Sequence, residues 1–213
     1  MNVQELFRRE VSKKPAYVPG KSVDEMKREF GVDQFVKAGS NENPLGPSPL
    51  AIKAVQEAAL TMNLYPDDYG YKLKEKLAKK HDLKVENIVL GNGGTELLKM
   101  FAECFINEGD EIVVSASTYN KYATEVGFLG GMPVVVPTKE DFEVDVVGMV
   151  KAVTSRTKLL FICNPNNPTG NIVSKDKIKW LIENTPEHVT IILDEAYFDY
   201  AIFHEDYEIP NII

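Results

Sequence analysis

Apolar runs alternate with amphipathic stretches through the second half of the chain, and their spacing predicts a regular succession of strands and helices. NIVLGN, beginning at Asn87, reads as a short strand, and GTELLKMFAECFI as the helix after it. EIVVSA, MPVVVP, KLLFICN and VTIILDEA read as further strands. Between them YNKYATEVGFL, DVVGMVKAV and SKDKIKWLIEN read as helices, the last capped by Ser174. Several of these strands are continuous apolar runs, the pattern of strands covered by helices on both faces. Alternating strand and helix implies an α/β fold with a mostly parallel sheet. Ligands of such sheets sit at the carboxyl ends of the strands.

Upstream the pattern changes. The first forty or so residues read as an arm, with an amphipathic VDEMKREF and a turn-rich GSNENPLGPSP. Ser48 before Pro49 is a helix start, with proline at the first helical position. The helix LAIKAVQEAALTM follows, then a loop, LYPDDYG, and a second helix, YKLKEKLAKKH.

Composition narrows the possibilities. The 213 residues suffice for one large domain, or a domain plus a fragment of another. No apolar stretch is long enough to cross a bilayer, and the mixed-charge N-terminus lacks a secretory core, so no membrane association and a cytoplasmic location are expected. Cys104 and Cys163 lie within apolar runs and are expected to be buried, reduced thiols. A net charge of −8 with no basic stripe argues against a nucleic-acid partner. The charge is unevenly placed. After Lys179 there is no lysine or arginine, while eight acidic residues follow. A chain that stops before its basic complement arrives is one explanation.

Four strand ends carry unusual chemistry. GNGGTELL ends the first strand in glycines that permit positive φ and close approach, before a helix whose N–H groups and dipole favour an anion such as phosphate. A tight turn without a ligand is the other reading. In SASTYNKY, Tyr119 falls where a helix begins, and its ring could stack on a flat ligand or pack in a core. In NPNNPTG, prolines flank Asn167, whose amide is a neutral donor held rigidly, or a turn residue only. In LDEAYFDY, Asp194 and Tyr197 close a very apolar strand. A carboxylate there is costly without a cation, and no base stands near it in sequence; it caps the next helix or pairs with a distant base on the other reading. Jointly the four fit one object with a phosphate, a flat ring, a hydrogen-bond-accepting ring oxygen and a basic ring nitrogen. That object is pyridoxal 5′-phosphate (PLP). No metal site is expected.

These motifs, with YVPGKS, SNENPLGPSP and LYPDDYG in the same order, resemble the N-terminal portion of the class II, fold-type I PLP-dependent aminotransferases, and most of all their histidinol-phosphate branch. The resemblance covers essentially the whole chain. It implies a fold-type I large domain, truncated before the C-terminal small domain. Residues 1–47 would be an arm and a piece of the small domain, and residues 48–213 an incomplete PLP-binding domain. It implies that backbone groups of Gly93, Gly94 and Thr95 hold the phosphate and that Tyr119 stacks on the pyridine ring. Asn167 and Tyr197 would donate to the phenolic oxygen, and Asp194 would pair with the pyridinium nitrogen. Tyr65 matches a tyrosine that reaches the neighbouring subunit's cofactor in a homodimer. Tyr17 and Asn43 match segments that fold over the substrate.

The chain departs from the family pattern at Ser117, where proline is usual, and at Gly94-Thr95, where Ser-Asp is common. The family's Schiff-base lysine lies beyond the DEAY strand, so the catalytic lysine is expected outside these residues, and the 213-residue chain alone is expected to be inactive. Lys175, Lys177 and Lys179 are expected on the solvent side of a helix. The implied activity of the full-length parent is transfer of an amino group between L-histidinol phosphate and 2-oxoglutarate, in histidine biosynthesis. Threonine-phosphate decarboxylase or aromatic aminotransferase chemistry on the same scaffold, and a non-catalytic split half with a partner chain, are the rival readings.

Overall fold

The computed structural model describes residues 3–12, 20–31, 34, 36 and 38–208. Its regular elements, in chain order, are α1 (Arg9–Ser12), α2 (Val23–Phe30), α3 (Pro49–Ala58), α4 (Tyr71–His81), α5 (Gly93–Phe105), β1 (Glu111–Ser115), α6 (Lys121–Gly127), β2 (Met132–Val136), α7 (Val146–Lys151), β3 (Thr157–Cys163), α8 (Lys175–Asn184) and β4 (Thr190–Asp194). They form two compact units. One is Met1–Lys14 with Leu90–Ile213, and the other is Pro15–Val89.

The larger unit is built on a four-stranded sheet in the order β2-β1-β3-β4, with every neighbouring pair parallel. Parallel strands cannot be joined by tight hairpins, so a helix intervenes in each connection. Strand alternation then sorts side chains to the two faces. On β3, Leu159, Phe161 and Cys163 join Leu98, Ala102, Tyr122 and Val126 of α5 and α6 on one face. Leu160 and Ile162 join Met149, Ile178 and Leu181 of α7 and α8 on the other. The continuous apolar run of β3 is therefore two alternating faces, each with its own helical cover.

The edge strands differ from the central ones. β1 is buried throughout and β3 nearly so, whereas β2 is largely exposed and β4 half-buried. An apolar run alone does not distinguish a central strand from an edge. Two further expectations are corrected. NIVLGN forms no strand: Ile88 has extended dihedrals, but among the described residues this segment joins no ladder. Extended backbone becomes a strand only when a neighbour takes up its N–H and C=O groups. Cys104 is exposed, while Cys163 is buried, and both are free thiols. On α5 the buried positions are Leu98 and Ala102, and Cys104 lies about 200° around the helix from Ala102.

Helix signals behave as expected. Ser174 caps α8 by accepting from the Lys177 N–H at 3.5 Å. Lys175, Lys177 and Lys179 stand outward and form ion pairs with Glu208, Glu143 and Glu183. In the smaller unit Pro49 opens α3, and the Asp67 carboxylate accepts from the Tyr71 N–H at 2.7 Å at the head of α4. Ser22 caps α2 through the Glu25 N–H, and Gly31, at φ 63°, closes it. Among the described residues of this unit only Ala78 is buried, and Leu50, Leu60 and Met62 are largely exposed. No helix among the described residues is long and apolar enough to cross a membrane.

The sheet's amino edge is tied by Glu111, a buried carboxylate at the start of β1. It accepts from the Thr154 hydroxyl at 2.5 Å and pairs with the Arg156 guanidinium. The Thr154 hydrogen bond, and then Arg156, hold its carboxyl below the usual carboxylate range. A lowered folded-state value stabilises above the unfolded value of about 4.3 and is lost as pH falls through the folded one. Glu111→Gln should therefore lower the urea midpoint at pH 7, and its deficit against the parent should shrink in acid below about pH 4. Urea titrations of both proteins at the two pH values measure this, and a deficit that is constant with pH would count against the pairing.

Candidate functional site

The chain order decides where a ligand can sit. From β1 the chain crosses through α6 to β2 on one side, and later returns through α7 to β3 on β1's other side. At such a reversal the loops leaving adjacent strands diverge and open a crevice at the carboxyl edge. A cleft of about 180 Å³ lies there. It is lined by Gly94 and Thr95 at the head of α5, Tyr119 from the loop after β1, Asn167 from the loop after β3, and Asp194 and Tyr197 from the end of β4. Leu98, Cys163 and Ala196 complete the wall.

Six of the sequence-predicted residues thus meet in one cavity. Gly93 heads the same helix with φ 74°, a conformation that L side chains rarely adopt. Glycine here permits the turn that lets α5 begin at the cleft. The first turn of a helix carries N–H groups without intrahelical partners. At α5 the Asn92 N–H is taken by the Glu96 carboxylate at 2.5 Å, and Gly94 and Thr95 are exposed. The three remaining candidates are not in this unit's cleft. Tyr65 belongs to the smaller unit and is fully exposed. Asn43 belongs there too, and its side chain accepts from the Leu45 N–H and donates to the Gly46 carbonyl within its own turn. Tyr17 lies outside the described residues.

Asp194 is held from two directions. The Tyr122 hydroxyl donates to Oδ2 at 2.7 Å, and the Ala196 N–H donates to Oδ1 at 3.0 Å. Its backbone is fixed as well, since β4 pairs it with Cys163 and its carbonyl accepts from the Asn164 N–H at 2.9 Å. Burial, reinforced by the neighbouring Cys163 and Asp194, pushes the Tyr122 phenol far above its ordinary range, so it is a donor at all working pH. Burial also pushes the Cys163 thiol up. Glu195, the adjacent carboxyl, is raised by burial and by Asp194, while the Tyr207 hydroxyl, donating to it at 3.1 Å, acts in the opposite sense. The Asn167 amide donates to the Tyr197 hydroxyl at 3.3 Å. The Thr95 and Tyr119 hydroxyls are 3.4 Å apart.

Two residues missed by sequence reasoning organise this site. Tyr122 is one. The other is Asn166, buried between two loops. Its amide donates to the Ser117 carbonyl at 3.0 Å and to the Thr169 hydroxyl at 2.8 Å, and its carbonyl accepts from the Thr118 hydroxyl at 2.8 Å. It ties the loop bearing Tyr119 to the loop bearing Asn167. Ser117 itself has φ 51°, which a proline ring cannot adopt. Asn164 has a similar role two residues upstream, exchanging two hydrogen bonds with the Val173 backbone at 2.9 and 3.0 Å. The density of asparagine in NPNNP is a visible signal; which neighbour each amide serves is not.

Known proteins are similar to this chain in sequence and fold. Residues 33–210 match the family model for aminotransferase class I and II. A histidinol-phosphate aminotransferase of Moorella thermoacetica is 50% identical over 87% of this chain and 48% of its own. One from Carboxydothermus hydrogenoformans, histidinol-phosphate aminotransferase 2, is 41% identical over 90% of this chain and 52% of its own. Among solved structures, the Sinorhizobium meliloti histidinol-phosphate aminotransferase in complex with pyridoxal-5′-phosphate superposes with a TM-score of 0.82 at 28% identity, over 91% of this chain and 51% of that one. The chain spans about half the length of the relatives it matches.

The Asn166 bridge yields a prediction. Asn166→Ala would leave the Ser117 carbonyl and Thr118 hydroxyl without their partner, and should cost about 1–3 kcal/mol of stability. Chemical denaturation of the variant measures it. A cost near zero would mean that the two loops hold their positions without the amide.

Proposed function

The chain belongs to the class I and II aminotransferase family, and from that membership we propose that its cleft binds PLP and that the whole protein transfers an amino group between L-histidinol phosphate and 2-oxoglutarate. Aminotransferases act on amino and keto acids; the choice of donor rests on the relatives named above. The observation that carries the cofactor assignment is the pairing, within one cleft, of a doubly held carboxylate with an exposed helix N-terminus.

The donor set fits the group. The Gly94 and Thr95 backbone at the head of α5 would take the phosphate, where free N–H groups and the helix dipole favour an anion. Asp194 would face the protonated ring nitrogen, a cation that offsets the cost of a half-buried carboxylate. The Tyr119 ring would lie against the pyridine. The Asn167 amide has two N–H donors, of which its bond to Tyr197 uses one, so it and the Tyr197 hydroxyl would serve the phenolic oxygen. When bound, the cofactor supplies an electrophilic carbonyl and a ring that accepts electron density from the amino-acid Cα.

This chain's own residues then perform three tasks. Asp194 keeps the ring nitrogen protonated, because a nearby opposite charge favours the cationic form by about 1–3 pKa units. Asn167 and Tyr197 stabilise negative charge on the ring oxygen. The α5 terminus fixes the remote phosphate, so its binding energy orients the reacting end. Among the described residues no lysine lines the cleft. Tyr65, exposed on its loop, is the candidate for a contact with a second copy's cofactor, and a homodimer follows from that role.

Pyridoxamine 5′-phosphate tests the cleft directly, since it has no aldehyde to form adducts with surface lysines. The protein should bind it saturably, and Asp194→Ala should weaken binding about tenfold or more. Equilibrium binding followed by ligand fluorescence measures both. No saturable binding to the parent would overturn the assignment. The donor is tested on the full product of the gene: glutamate should form from L-histidinol phosphate and 2-oxoglutarate. Carbon dioxide release from threonine phosphate without glutamate would favour the decarboxylase instead.

A further inference from the structure

We propose that Tyr122 is a positioning residue for Asp194, orienting its carboxylate toward the ring nitrogen of the cofactor. This rests on the reading of the cleft as a PLP site. Tyr122 does not reach the cleft; it is buried on the inner side of α6, with its ring stacked on Phe161 at 4.7 Å and 14° and Tyr119 meeting it edge-on at 5.7 Å. Its hydroxyl is the donor to Asp194 Oδ2. With the Ala196 N–H on Oδ1, both carboxylate oxygens are engaged and rotation about the last side-chain bond is stopped from inside the protein. The outward lone pairs are left for the ligand.

Two effects of this bond oppose each other. Donation to Oδ2 draws charge from the carboxylate and weakens its pull on a cation. Fixing the carboxylate removes the ordering cost that binding would otherwise meet. The first effect is small, because a neutral phenol shares its proton without transferring it, and burial disfavours its ionisation. The second therefore wins. Tyr122→Phe should weaken ligands that carry a protonated ring nitrogen, and only those.

The decisive comparison uses pyridoxamine 5′-phosphate and its analogue with carbon in place of the ring nitrogen. Tyr122→Phe should weaken the first about five- to tenfold and leave the second within about twofold. In an Asp194→Asn background the same substitution should change neither. Equal weakening of both ligands would show a structural role only and overturn the proposal, as would unchanged or tighter binding of pyridoxamine 5′-phosphate. A parent protein that binds neither ligand would overturn the cofactor reading and this inference with it. Should the variant fail to fold, proton NMR of the parent decides. The Tyr122 hydroxyl resonance should move when pyridoxamine 5′-phosphate is added and stay in place with the carbon analogue. A resonance that responds identically to both would overturn the positioning role.

Discussion

A carboxylate at the end of an apolar strand is the constraint on which the rest of this site depends. Asp194 closes β4 beside Cys163, on a wall that also holds Leu98 and the Tyr119 ring. A charge in that setting is costly unless donors and a cation answer it. The protein supplies two donors, Tyr122 and the Ala196 backbone, and no basic side chain lines the cleft among the described residues. On the proposed reading, the electrostatic complement would come with the ligand. A ring nitrogen whose protonated form a nearby carboxylate favours would be such a complement, and it would tie the folding problem of the strand end to the chemistry of the group proposed to bind there.

The fold makes that arrangement economical. Reversal of strand order between β1 and β3 brings the loops after both strands to one edge, and parallel pairing places the end of β4 alongside. Residues as far apart in sequence as Thr95 and Tyr197 meet because every strand of a parallel sheet points the same way. Asparagines then do the local work. Asn164 stitches its loop to Val173, Asn166 joins two loops, and Asn167 alone of the three faces the cleft. Each uses both ends of its amide or leaves one for a ligand, which a carboxylate or an apolar residue could not do.

What sequence could disclose follows the same logic. Tyr119, Asn167, Asp194 and Tyr197 were legible because strand ends are legible, and a parallel sheet gathers them without further information. Tyr122 and Asn166 were not, because their partners lie 72 and 48 residues away. Bonds of that kind depend on which side of α6 turns inward and on how the two loops meet. Cys104 was misplaced for a related reason: an apolar run says that a helix has a buried side, not which residue falls on it. The NIVLGN segment carries a strand's composition without a strand's partner, and β2 shows that an apolar run can also stand at an exposed edge. Local composition predicts conformation well and neighbours poorly.

The YNKY segment shows how closely the two kinds of information are joined. Its first tyrosine precedes α6 and faces the cleft, while the second, three residues on, lies inside α6 and faces the core. The two rings meet edge to face, with centroids 5.7 Å apart. The outer ring lines the cleft, and the inner one donates to the Asp194 carboxylate. Substituting the inner tyrosine by an apolar ring of the same size would keep the packing and remove only the hydroxyl. Packing and electrostatics are therefore separable at this position, even though a single residue provides both.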